Sequence, residues 1–135
     1  MKINKHINNV SIIGSGIMGS RIACLFANIG VKVLLLDIIP FDLKEENKKD
    51  KSIRNSIVNN ALNKTLKSKP SPIFSEKIAN RITTGNIEDD LHKIKNSDWI
   101  IEVVVEKLDV KKKVLEKIEK FRKKGTLVTT NTSGI

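Results

Sequence analysis

Six residues near the start of the chain, Gly14-Ser15-Gly16-Ile17-Met18-Gly19, place three glycines at the spacing G-x-G-x-x-G. That spacing does chemistry only in context, because a strand must deliver the chain to the first glycine and a helix must leave from the last. Both are indicated here: residues 9–13 are β-prone, and Ile22, Leu25, Phe26 and Ile29 recur at helical spacing over residues 17–29. Gly14 then permits the tight turn, Gly16 lacks a Cβ so that a pyrophosphate can approach the backbone, and Gly19 lets the helix close on the strand. A phosphate in such a turn meets backbone N–H groups and the positive end of the helix dipole. Gly14, Gly16, Ile17, Met18 and Gly19 are therefore the expected cofactor-binding turn.

A carboxylate follows at the matching distance. Asp37 closes the apolar run 31–36, ~20 residues after the glycines, where it can accept hydrogen bonds from both hydroxyls of an adenosine ribose. It would repel a 2′-phosphate, and Ile38 and Ile39 supply no Arg to receive one. NAD is thus expected over NADP. Cys24 lies inside the apolar helix with no nearby His, so it reads as core and not as a reactive thiol. His6 and His92 sit in polar surroundings and read as surface residues.

The elements that must position these groups follow from the same patterning. Gly30 caps the first helix, and residues 31–36 form an apolar run suited to a strand buried on both faces, so the first 37 residues make one βαβ unit. Residues 40–50 are polar and read as an exposed loop. The spacing of Ile53, Ile57, Ala61, Leu62 and Leu66 predicts one amphipathic helix over 52–67, ended by Pro70 and Pro72. A short helix over 75–80 and a strand over 81–84 come next, with Gly85-Asn86 turning the chain. A strand over 99–105, a long helix over 109–123 capped by Gly125, and a strand over 127–130 complete the pattern. The expected architecture is an α/β, Rossmann-type doubly wound parallel sheet with a helical insertion after the second strand.

The chain has 135 residues, the size of one domain, with 25 Lys and Arg against 15 Asp and Glu and a net charge of +10. Residues 107–124 hold nine of the cationic residues against three acidic ones. Val110, Val114, Leu115, Ile118 and Phe121 recur among them at helical spacing, which places most of the lysines on a solvated helix face. With no Tyr, one Trp and four Phe, the chain lacks the stacking platforms of a single-strand binder, and no nucleic-acid partner is expected. A single Cys excludes an internal disulfide and any multi-cysteine zinc site, and no metal is expected. It also suggests a reducing, cytoplasmic setting. No apolar run approaches the ~20 residues of a membrane span, and the opening MKINKHINNV lacks the features of a secretory signal.

Four segments resemble the NAD-binding domain of the 3-hydroxyacyl-CoA dehydrogenases of fatty acid β-oxidation: VSIIGSGIMGSRIA at 10–23, LLLD at 34–37, SDWIIEVVVEKLDVKKKV at 97–114 and TLVTTNTSGI at 126–135. The E-x-x-x-E of Glu102 and Glu106, the Lys five positions later and the terminal N-T-S are its selective parts. The insertion with its KPSP element and the TTGNIEDDL that follows look most like the long bacterial members joined to an enoyl-CoA hydratase half. The resemblance implies that Glu106 lies beside the nicotinamide ribose and that Lys111 approaches the cofactor. It implies supporting catalytic roles for Asn131, which helps to hold the base, and for Ser133, which touches the substrate oxygen. The family's second Ser after this triplet is here Gly134. For the CoA phosphates the family uses a Ser and a Lys of the insertion helix; here Ala61 falls near the former and Lys67 or Lys69 near the latter.

The same resemblance places the family's catalytic His and its Glu partner beyond Ile135. Residues 1–135 are accordingly expected to be a cofactor-binding fragment, nearly inert alone, of an enzyme that oxidises 3-hydroxyacyl-CoA and acts as a homodimer. Two rivals share the glycine turn or the basic helix: a β-hydroxyacid dehydrogenase of the 3-hydroxyisobutyrate type, and a non-enzymatic NAD-sensing or nucleic-acid-binding module. Glu102, Glu106 and the N-T-S disfavour the first.

Overall fold

The computed structural model describes residues 6–104 and 108–130, the backbone alone being described for 108–110. Five parallel strands form one sheet: β1 (Asn9–Ile13), β2 (Lys32–Asp37), β3 (Ile82–Asn86), β4 (Trp99–Glu102) and β5 (Leu127–Thr130), in the spatial order β3-β2-β1-β4-β5. The order reverses between β1 and β4, which stand side by side with Ile13 opposite Glu102. Ligands of doubly wound sheets bind in the crevice outside the carboxyl ends of such strands. The glycine turn leaves from the end of β1 and opens on that crevice.

Strand alternation builds two cores. Ile12 and Leu35 point to one face, under α1 (Ile17–Asn28) and the insertion helix α3 (Ser56–Leu66). Ile13, Leu36 and Ile100 point to the other, under α6 (Leu108–Phe121), α5 (Ile87–Asp90) and the 3-10 segment Leu91–Asn96. Helices on both faces explain why the central strands are continuous apolar runs.

Helix α1 differs from the sequence expectation in the face it buries. Gly19, Ser20, Ala23, Cys24 and Ala27 face the sheet, whereas Leu25 and Ile29 are exposed. Small residues let the helix axis approach the strands, and the larger apolar side chains are left on the flank. Burial raises the Cys24 thiol pKa against the opposing Arg21 charge, so the thiol is held neutral.

The insertion is two helices where one is expected. α2 (Lys51–Arg54) and α3 meet at Asn55, whose side-chain oxygen accepts a 2.7 Å bond from the buried Asn86 amide. A second correction concerns Gly85 and Asn86, which extend β3 opposite Leu36 and Asp37 and do not form a turn. Asn86 then caps α5 by accepting from the Asp89 N–H. A short helix, α4 (Glu76–Ala79), falls within the expected 75–80. β4 ends at Glu102, and the remainder of the expected strand, through residue 105, is not strand over the described positions 103–104.

Arg54 grips the Asp89 carboxylate with two bonds, Nε to Oδ2 at 2.8 Å and Nη2 to Oδ1 at 2.9 Å, tying α2 to the sheet edge. The guanidinium first, and the Asn86 amide second, hold the Asp89 carboxyl down at about 2 against the contrary effect of burial. A carboxyl depressed in the folded state stabilises the fold above its ordinary value near ~3.9, and the contribution disappears as pH falls toward the folded value. The melting temperature of the wild type should therefore drop between about pH 4 and pH 2, and Asp89→Asn should show a shallower drop across that window. Parallel pH-melting curves of equal steepness would remove Asp89 from the insertion's acid response.

Candidate functional site

The glycine turn is held by three interlocking contacts. Gly14 has φ +114°, a conformation that side chains rarely adopt, and its N–H donates to the Leu36 carbonyl at 2.7 Å. A Cβ on Gly19 would lie 1.9 Å from the Gly14 carbonyl oxygen and 3.0 Å from Val103 Cγ2. The helix therefore begins in direct contact with the turn and with the chain leaving β4. The Ser20 hydroxyl closes the turn by donating to the Ser15 carbonyl at 2.6 Å.

Gly16 differs from these two, since a Cβ there would meet nothing within 4 Å. Packing within the protein therefore sets no requirement for glycine at this position, and the space beside it is open. No side chain caps α1, and its first turn contains no acidic residue. A 12-residue helix with no side-chain cap and no acidic residue in its own first turn is suited to an anion. Ile17 and Met18 flank the opening, 74% and 51% exposed.

Asp37 is built into the turn as well as facing the crevice. Its Oδ2 accepts from the Ser15 N–H at 2.8 Å and from the Ser15 hydroxyl, and its Oδ1 accepts from the Ile38 N–H at 2.7 Å. A carboxylate has about four lone-pair directions, so these bonds leave one free for a ribose hydroxyl. A second becomes available if the Ser15 hydroxyl rotates. Beyond Asp37, Ile38, Ile39, Pro40 and Phe41 line a cavity of about 500 Å³ together with Val114, with Glu88, Lys113 and Lys117 also lining it.

Glu102 and Lys111 meet at the carboxyl end of β4. Glu102 is fully buried, and its Oε2 accepts from the Val104 N–H at 2.6 Å. Its Oε1 lies 3.2 Å from Lys111 Nζ, on a side chain 9% exposed. Sequence reasoning expected Lys111 near the cofactor but assigned Glu102 no partner. The available signal was a carboxylate inside the apolar run WIIEVVV, which cannot be buried cheaply without a cation.

The cationic side chains of the insertion divide between two cavities. Lys64, Thr65 and Ser68, together with Arg21, share a cavity of about 330 Å³ with Ser15 and Gly16. Ala61 lines it too. Lys67 is exposed and lines another cavity, with Ile73 and Phe74, that includes no residue of the glycine turn. Lys69 is exposed at the end of the insertion. Glu106, Asn131 and Ser133 lie outside the described residues. No group of three metal-ligating side chains occurs among the described residues, and none of their helices is long and apolar enough to cross a membrane.

Sheet order, glycine turn and a strand-end carboxylate together define a dinucleotide-binding domain of the Rossmann type. Residues 9–135 match the family model "3-hydroxyacyl-CoA dehydrogenase, NAD binding domain", and the chain belongs to that family. It is 51% identical over 139 residues to a probable 3-hydroxyacyl-CoA dehydrogenase of Bacillus subtilis, covering 98% of this chain and 18% of that protein. It is 43% identical over 132 residues to a putative fatty acid oxidation complex trifunctional enzyme of Rickettsia felis, covering 97% and 17%. Among solved structures, 3-hydroxybutyryl-CoA dehydrogenase from Escherichia coli K12 superposes with a TM-score of 0.62 at 28% identity, over 97% of this chain and 26% of that one. The chain thus spans about a fifth of the length of these two curated relatives.

Proposed function

We propose that residues 1–135 are the cofactor-holding module of an enzyme that oxidises the 3-hydroxyl of acyl-CoA thioesters to a ketone in fatty acid β-oxidation, with NAD and not NADP as oxidant. The observation that carries the reading is Asp37, a strand-end carboxylate whose hydrogen bonds to Ser15 leave a free acceptor facing the crevice. NAD supplies the hydride acceptor. The chain supplies the cofactor's seat: backbone N–H groups at the start of α1 for the pyrophosphate, Asp37 for the adenosine ribose, and the largely apolar cavity beside Ile38 for the adenine.

As the family resemblance implies, Glu106 lies beside the nicotinamide ribose, Lys111 approaches the cofactor, Asn131 helps to hold the catalytic base, and the Ser133 hydroxyl touches the substrate oxygen and the cofactor. For the CoA phosphates, the cavity beside the glycine turn favours Lys64 and Ser68 over Lys67. The proton of the 3-hydroxyl is removed by a base supplied elsewhere in the whole enzyme. His6 is exposed ahead of β1, and His92 is exposed on the crossing from β3 to β4. A homodimer in a reducing, cytoplasmic setting fits a neutral, buried Cys24 thiol and the exposed apolar flank of α1.

Calorimetric titration of the chain with NADH and NADPH tests the cofactor assignment. NADH should bind at least about tenfold tighter, equivalent to ~1.4 kcal/mol of discrimination. Equal affinity for the two nucleotides, or no binding of either by a folded chain, would refute it.

A further inference from the structure

Two buried side-chain atoms among the described residues lack a hydrogen-bond partner, Glu102 Oε1 and Lys111 Nζ, and they face each other at 3.2 Å. Burying a carboxylate and an ammonium carries a large desolvation penalty, and a contact without hydrogen-bond geometry offsets only part of it. Natural cores rarely keep such a pair for stability alone. Its location is informative. Glu102 is the last residue of β4 and stands opposite Ile13, the residue before the glycine turn. The next residue, Val103, donates to the Ile13 carbonyl at 2.9 Å and lies against Gly14. Glu102 is itself fixed through Oε2 to the Val104 N–H.

The carboxylate is thus rigid on the strand end, while the lysine reaches it from the first described turn of α6 on a flexible four-carbon stem. We propose that Glu102 is a positioning residue: it holds the Lys111 ammonium, with no hydrogen bond of its own, just beyond the paired carboxyl ends of β1 and β4, ready for the acceptor oxygens of the bound dinucleotide. This rests on the cofactor reading above, and adds to it the group that makes Lys111 effective.

The test compares Glu102→Gln with the double variant Glu102→Gln/Lys111→Met by NADH calorimetry. Gln keeps the size of the side chain and can keep the bond from Val104, but its amide N–H₂ then faces the ammonium and releases it. Trp99, on the same strand, donates to the Thr129 hydroxyl at 3.0 Å and packs edge-on against Phe26, so its fluorescence reports whether β4 remains intact. The expected result is an NADH affinity about tenfold below wild type in Glu102→Gln, with unchanged Trp99 emission and no further loss in the double variant, the non-additivity that marks two groups acting as one. A purely structural role predicts a loss that follows the emission change, and a second, separate loss when Lys111 is removed.

Wild-type affinity in Glu102→Gln, or a further tenfold loss in the double variant, would overturn the assignment. Should Glu102→Gln fail to fold, Glu102→Asp keeps the charge on a stem one carbon shorter. Weakened NADH binding by a folded chain with wild-type Trp99 emission is expected there, and unaltered binding overturns the proposal. If the wild type binds no NADH while folded, the cofactor reading fails first and this assignment falls with it.

Discussion

Gly19→Ala should lower the melting temperature by on the order of 10 °C, the equivalent of about 3 kcal/mol in a domain of this size. The new Cβ would sit 1.9 Å from the Gly14 carbonyl oxygen, 2.9 Å from its carbon and 3.0 Å from Val103 Cγ2. Two of those atoms are backbone, and neither has room to retreat. Gly14 is committed to φ +114° and bonded to Leu36, and Val103 is bonded to Ile13. Relief can come only from lifting α1 off the sheet, which uncovers Ala23, Cys24 and Ala27. Gly16→Ala supplies the contrast. Its Cβ meets nothing in the protein, so stability should change by less than about 1 kcal/mol while NADH affinity falls, because the methyl group occupies the path of the pyrophosphate. Thermal melting with and without NADH separates the two. A Gly19→Ala chain melting within about 2 °C of wild type would show that the turn is looser than its contacts indicate.

Asp37→Ala should weaken NADH binding by about 30-fold or more. A hydrogen bond to a charged acceptor contributes ~1.5–3 kcal/mol, and the ribose contact alone accounts for roughly one to two powers of ten. The rest comes from the turn, because the same carboxylate accepts from the Ser15 N–H, the Ser15 hydroxyl and the Ile38 N–H. NADPH binding should change less, since removing the charge that repels a 2′-phosphate offsets the slackening of the turn. Asp37→Asn divides the effect: its amide oxygen can still accept from Ser15, so it should recover most of the stability but little of the affinity. Calorimetry on both variants with both nucleotides measures this. An Asp37→Ala chain with unaltered NADH affinity would detach the carboxylate from the ribose.

The parts of this fold that were legible in the sequence are those whose local pattern and tertiary role agree. β1, the glycine turn and β2 follow from two apolar runs and three glycines whose spacing only one kind of turn satisfies. Long-range contacts decide the remainder. Asn86 is a turn former by type, yet it becomes the end of β3 because Leu36 and Asp37 offer it a ladder and Asp89 and Asp90 satisfy its polar groups. Asn55 breaks the insertion helix by bonding to Asn86, 31 residues away, which no local periodicity can reveal. In α1 the spacing of Ile22, Leu25, Phe26 and Ile29 was genuine, but proximity of the helix to the turn favours the face of small residues. The site shows the same division. The phosphate turn and Asp37 were readable as motif. Lys64 and Ser68 beside Gly16, and Glu102 beneath Lys111, depend on how the insertion and α6 pack.

The double duty of Asp37 also limits the mutational routes open to this domain. Replacing the carboxylate to admit a phosphorylated ribose would at the same time release Ser15 and slacken the turn that every dinucleotide needs. A one-step exchange of cofactor therefore passes through a chain that holds neither nucleotide well. The change becomes accessible only if position 15, or a neighbour able to accept from its N–H, is altered first, so that the order of substitutions matters as much as their identity.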